Sequence, residues 1–175
     1  MDWYSTVFEL IDMRSFSNLW YWIALAVVWS SASHWVLGVP YDLVLSAARH
    51  GGQRQIDLED LVRINCNRIL HIGEVSGMWI IAMSCALLSG LAVTGFYYWI
   101  EFAQAVFLIL FPLAIVGVLS MVAARSITLR ALTGEALRKR LRLQRLFTQV
   151  IGLVSIFVTA MWGMWQNMSL GVLGG

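Results

Sequence analysis

His34 is the only ionisable side chain in the stretch 19–38, and Ser30, Ser31 and Ser33 stand beside it. On a helix, Ser30, Ser33, His34 and Leu37 share one face. An imidazole titrates near neutral pH, so with hydroxyls at hand it can relay a proton, line an ion path or ligate haem iron. Its simpler use is as a neutral donor to a backbone carbonyl or serine that ties two helices together. Haem needs a second axial ligand, and His50 and His71 fall in polar segments at another depth. Only a symmetric pair of His34 residues in a homodimer would supply it. No other residue set carries recognisable chemistry. Cys66 and Cys85 are too few and too far apart for a disulfide scaffold or a cluster, and Asn65, Cys66, Asn67 and His71 fit no metal template. There is no phosphate-binding glycine loop, no His-Glu-x-x-His and no nucleophile elbow. Glu101 is expected to be solvated, and Glu74 to lie within reach of Arg68 or Arg125. The expectation is a non-enzymatic chain with no metal and no cofactor.

The second candidate site is electrostatic. Arg138, Lys139, Arg140, Arg142 and Arg145 form the densest charge cluster in the chain. A cluster of this kind beside a membrane attracts anionic lipid head groups, at about 1 kcal/mol per cation. It can also pair with Asp57, Glu59 and Asp60 within the chain, or dock an acidic protein. Nucleic acid is not expected as a partner, because no aromatic side chains interleave with the cluster for base stacking.

Those residues need elements to position them. Of 175 residues, 59% are hydrophobic and 13% charged, about half the charge of a usual soluble domain. The charge is also segregated. Of the 12 Lys and Arg residues, all but Arg14 fall within 49–68 or 125–145. Loops rich in Lys and Arg stay on the cytoplasmic side of a membrane. The pattern therefore predicts an all-α membrane protein. Four transmembrane helices are expected in a bundle, over about 19–38, 78–99, 103–124 and 147–165, with helical cytoplasmic extensions at 41–75 and 125–146. Both termini are expected to be periplasmic.

Local signals refine this single four-span domain. Residues 1–14 have the spacing of an interfacial amphipathic helix, and no cleavable leader is expected. Ser17 or Asn18 is a candidate N-cap, and Pro40 predicts a kink or stop near Gly38–Val39–Pro40. Asp57 has the look of a helix start, and Thr133 that of a cap for the last helix. Phe96, Tyr97, Tyr98, Trp99 and Phe102 form an aromatic belt beside a tight turn at Glu101–Phe102. Small residues let helix backbones approach closely in lipid. They recur as Ala82, Ala86, Gly90 and Thr94, as Ala114, Gly117, Ser120 and Ala124, and as Gly152, Ser155, Thr159 and Gly163. Each stripe predicts a helix–helix contact, chiefly inside the bundle.

The opening stretch MDWYSTVFELIDMRSFSNLWYWIALAVVWSSASHWVLGVPYDLV resembles a family of small alphaproteobacterial inner-membrane proteins, some labelled components of the Suf iron–sulfur assembly complex. The resemblance is strongest over residues 1–44, and the remainder follows mainly in topology. It implies a bacterial cytoplasmic membrane and an accessory role near cluster assembly, though two separated cysteines cannot hold a four-cysteine cluster. Two functions follow as expectations. One is an accessory or scaffold subunit of an inner-membrane complex, with a protein partner or a second copy. The other is an oligomeric small transporter or channel subunit with a polar pathway at Ser30, Ser33 and His34.

Overall fold

The computed structural model describes residues 15–172, with side chains described to residue 168; the expected interfacial helix at 1–14 lies outside the described residues. Among the described residues 90% are helical, in five helices. A short 3-10 turn, Ser15–Ser17, precedes α1 (Leu19–His34). Asn18 caps α1, its side-chain oxygen accepting from the Trp20 N–H at 3.0 Å. That bond satisfies one of the open donors of the first turn.

The first apolar run does not stay helical to Gly38. The helix stops at His34, and Trp35–Val36 (β1) pairs antiparallel with Val39–Pro40 (β2). Leu37 (φ +53°) and Gly38 (φ +73°) make the two-residue turn, and two residues with positive φ suit the twist of a tight hairpin. The β-branched Val36 and Val39 favour the extended form, and both are buried with Leu37. The helix is thus about 24 Å long, and the chain reverses before Pro40. Pro40 then leads directly into α2 (Tyr41–His50).

Gly51 and Gly52, both at positive φ, turn α2 into α3 (Gly52–Ala92). Asp57 is therefore inside this helix, not at its start. The Gly-Gly turn supplies the break, and side-chain bonds from Gln53 to Asp57 (2.9 Å) and from Gln55 to Glu59 (2.6 Å) support the first turns. At 41 residues, α3 is about 60 Å long, twice a hydrocarbon core. It ends in a π-helical turn, Val93–Tyr97. The reversal then runs through Tyr98, Trp99 (φ +58°) and Ile100, and α4 (Glu101–Leu129) begins where a turn was expected. After a turn at Ala131 (φ +43°), α5 runs from Gly134 to Val172.

Three helices are long and apolar enough to cross a membrane: α3 with its π turn, α4 and α5. Their contacts run in series, α3 on α4, α4 on α5, and α1 on α5. Only 6% of the apolar stretches of α3 and α4 is buried, against 28% for α5, which carries α1 on one side and α4 on another.

The largest cluster of buried residues lies at the charged end. The hairpin, α2, the first half of α3, the end of α4 and the start of α5 meet there around Val39, Val44, Leu58, Val62, Ala123, Ala124, Leu137 and Leu141. Each buried Leu or Val contributes about 1.5–3 kcal/mol where water is the alternative. Along the apolar stretches, by contrast, large side chains such as Met78, Trp79, Leu153 and Phe157 face outward.

The small-residue stripes divide accordingly. Gly152, Ser155, Thr159 and Gly163 are buried. A Cβ on Gly152 would lie 2.7 Å from the Trp29 ring, and one on Gly163 would lie 3.3 Å from Phe16. This stripe is where α1 and the 3-10 turn settle on α5. Ala82, Ala86 and Gly90 differ from the expectation of internal contact: all three are exposed, and nothing lies within 4 Å of a Cβ on Gly90. The opposite side of α3 meets α4, with Gly73 against Met121 and Ser84, Leu88 and Leu91 half-buried. Gly117 on α4 is exposed too, whereas Ala124 is buried. Gly152→Ala should therefore destabilise the fold by about 1–3 kcal/mol through overpacking, whereas Gly90→Ala should leave it unchanged; thermal unfolding of the purified variants in mild detergent distinguishes them.

Candidate functional site

Buried polar groups in an apolar chain must find partners; here Ser155, midway along α5, donates to the Leu108 carbonyl at 3.3 Å, and larger groups of them lie at the two ends of the apolar stretches. At the tryptophan-bearing end the centre is Gln104, which is fully buried. Its amide nitrogen donates to the Gly95 carbonyl at 2.8 Å. Its oxygen accepts from Trp162 Nε1 at 2.9 Å and from Gln166 Nε2 at 2.6 Å. One side chain thus joins the π turn, α4 and α5. A π turn leaves backbone groups out of the regular helical ladder, and the Gln104 amide serves one of its carbonyls. Gly95 is required there, since a Cβ would stand 2.9 Å from the Gln104 backbone nitrogen.

The same end ties in the start of α1. Glu101 is not solvated as expected; it is half-buried, and its Oε1 accepts from the Phe16 N–H at 2.7 Å. Ser17 donates to Asn167 (2.8 Å), Trp22 Nε1 to the Phe16 carbonyl (3.0 Å), and Tyr21 to the Ala105 carbonyl (3.3 Å). Rings fill the space between. Phe96 lies edge-on to Phe107 and to Trp162, and Trp165 is tilted against Trp99 and Trp162. The aromatic belt is therefore partly internal packing.

At the charged end, Asn65 is buried beneath the hairpin, and its Nδ2 donates to the Gly38 carbonyl at 3.2 Å. Cys66 is buried beside it, and burial pushes its thiol up from the ordinary pKa, which lowers its reactivity. Cys85 is exposed on α3. Glu59 accepts from the Gly134 N–H at 2.8 Å, so a carboxylate from α3 meets the positive end of α5. Thr133, the expected cap, stands just before the helix start, and the bond that reaches the first turn comes from this distant acid.

The basic cluster splits by face. Arg138 donates to the Gln55 side-chain oxygen. The Arg145 guanidinium lies over the Tyr41 ring, 3.8 Å from its centroid. Arg140 is half-buried, and Lys139 and Arg142 are exposed. The one ion pair among the described residues is Arg63–Asp60 at 2.9 Å, exposed on both sides. No such pair joins Glu74 to Arg68 or Arg125.

Ser30 and His34 are exposed, Ser33 half-buried, and the His34 ring lies edge-on to Trp35. Their side chains make no hydrogen bond among the described residues, so they do not tie α1 to another helix within the chain. Among the described residues no group of three or more His, Cys, Asp or Glu is placed to hold a metal. A shallow apolar groove on α5 is lined by Phe157, Val158, Met161, Trp162 and Trp165.

Sequence reasoning missed Gln104, Gln166 and Gln144, and it gave other roles to Glu59, expected to pair with the basic cluster but bonded to the Gly134 N–H, and to Asn65, weighed only as a metal ligand. A signal was present for two of them. Gln144 and Gln166 lie on the stripe that continues through Thr148, Gly152, Ser155, Thr159 and Gly163 at spacings of three and four. Gln144 donates to Ser120 at 3.3 Å along that line. No family model matches the chain, and neither curated proteins nor solved structures provide a match.

Replacing Gln104 by Leu leaves the Gly95 carbonyl and the Trp162 and Gln166 donors without this partner. It should cost about 1–3 kcal/mol per group left buried and unpaired. Denaturant unfolding followed by tryptophan fluorescence reports the loss, because Trp162 is itself one of the partners.

Proposed function

We propose that this chain is a non-enzymatic accessory or scaffold subunit of a bacterial cytoplasmic-membrane complex. In this reading four helices span the bilayer, α1 being the shortest, and both termini face the periplasm. The segregation of arginines supports the orientation: 11 of the 12 cations fall on the side that also carries α2, the first half of α3 and the start of α5. The resemblance of residues 1–44 to proteins labelled with iron–sulfur assembly is consistent with this setting.

The observation that carries the reading is the placement of the buried core. The chain builds a packed layer from the hairpin, α2, the first half of α3, the end of α4 and the start of α5 at the charged end, extending beyond the apolar stretches. On the outer face of that layer α3 exposes Ile56 (53%) and Ile64 (57%) among Asp60, Arg63 and Asn67. Apolar side chains with a charged surround, on a rigid helix facing water, suit a protein partner.

A second reading keeps the pathway at Ser30, Ser33 and His34. Its support is that these polar groups face out of the chain, which would require a second copy to enclose them. Ion flux in proteoliposomes altered by His34→Ala would favour it.

Two measurements test the main reading. With Cys66 and Cys85 replaced by Ser, a cysteine introduced by Lys139→Cys should resist membrane-impermeant maleimide in intact cells, and one introduced by Tyr98→Cys should react; the reverse pattern overturns the orientation. Ile56→Asp combined with Ile64→Asp should abolish in-membrane cross-linking to a partner while leaving insertion and thermal stability intact. Cross-links unchanged by the pair would remove this face as the docking surface.

A further inference from the structure

Arg138, Arg142 and Arg145 are spaced four and three apart, so they form one ridge along α5. The ridge faces elements that hold two of its members. Arg138 reaches Gln55 on α3, and Arg145 stacks on Tyr41 at the start of α2. Arg142 lies between them and is exposed.

Three observations make this more than a solvated charged face. The first is the missing countercharge. No carboxylate among the described residues forms an ion pair with Arg138, Arg142 or Arg145, the one pair being Arg63–Asp60. The second is partial dehydration. The Arg145 side chain is half-buried, and its Nε is shielded from water with no hydrogen-bond acceptor. A guanidinium stays charged throughout the accessible pH range, so a partly buried one without an anion is an uncompensated cost. The Tyr41 ring offsets some of it through a cation–π contact, and it fixes the plane in which the remaining N–H groups point.

The third observation is depth. Arg145 is the last charged residue on α5, and none follows to residue 168. Trp35, on the hairpin at this same end, is 54% exposed, as expected of an aromatic at a lipid–water boundary. Arg145 therefore stands where the apolar stretch of α5 meets water, at the level of lipid phosphates. Arginine suits phosphate because its planar fork binds two oxygens at once.

We propose that Arg142 and Arg145, the latter held on Tyr41, seat the phosphate of one anionic phospholipid at the membrane boundary. The seat does not depend on the scaffold reading, since it lies on α5 and the docking face on α3. It gives the exposed Arg142 and the stacked Arg145 a shared anion that the chain itself does not supply.

The test uses the full-length protein in mild detergent, supplied with an equal mixture of phosphatidylglycerol and phosphatidylcholine and read by native mass spectrometry. Wild type retains one phosphatidylglycerol in preference to phosphatidylcholine. Arg142→Gln, at an exposed position, weakens retention about fivefold, and Arg142→Gln with Arg145→Gln about 25-fold, from about 1 kcal/mol per cation. Arg54→Gln with Arg130→Gln removes the same charge at exposed positions off α5 and retains the lipid as wild type does. Equal loss in that control, or no preference for phosphatidylglycerol in wild type, overturns the seat. Inorganic phosphate at millimolar concentration, offered to delipidated protein, binds wild type no better than the double variant. Phosphate held selectively by wild type would overturn the assignment to lipid.

Discussion

Hydrocarbon solvates a leucine about as well as another leucine does, and this removes between lipid-facing helices the force that packs a protein in water. The distribution of packing in this chain follows from that. Where residues meet water, at the charged end, apolar side chains gather into a buried core around Val39, Leu58, Leu137 and Leu141. Along the apolar stretches, helices meet through small residues and few large side chains are buried. Gly152 admits the Trp29 ring, Gly163 admits Phe16, and Gly73 admits Met121. The open series of contacts, with α3 held mainly by α4, is what remains when burial alone does not close a ring.

Polar groups complete what small residues begin. An amide in an apolar setting has few alternatives to a protein partner, so each one fixes a specific neighbour. Gln104 draws the π turn, α4 and α5 to one point, and Glu101 brings in the backbone at Phe16. At the other end Asn65 holds the hairpin through the Gly38 carbonyl, and Glu59 holds the first turn of α5. These bonds join residues distant in sequence, such as Phe16 with Glu101 and Glu59 with Gly134. They supply tertiary specificity that a set of greasy helices would otherwise lack.

The sequence shows some of this plainly and hides the rest, for physical reasons. Long apolar runs and segregated arginines report the three long helices, because the partition of a residue between lipid and water depends on its own chemistry. Asn18 as a cap is legible in the same way, since a cap acts over two residues. The end of α1 is less legible. An apolar run can be helix or strand, and only the pairing of Val36 with Val39 across Leu37–Gly38 decides it. Asp57 looks like a start because acids favour first turns, yet the Gly51–Gly52 turn had already begun the helix. For the small-residue stripes, type and spacing are equally good at Ala82–Ala86–Gly90 and at Gly152–Gly163. Which stripe meets a neighbour depends on how its helix is rotated, and that rotation is set elsewhere. Gln104 and Glu59 are ordinary residues until their distant partners are known.

The unbroken course of α3 has a mechanical consequence. Its two halves share one hydrogen-bonded rod from Gly52 to Ala92, with no joint where its charged half gives way to its apolar half. A sideways load near Ile56 is borne by a rod that is held at both ends, by the core at one and by the π turn that Gln104 clasps at the other. Whatever leans on one tip therefore works first against the core at Leu58 and Val62 and, at the far end, against a hydrogen bond from the Gln104 amide.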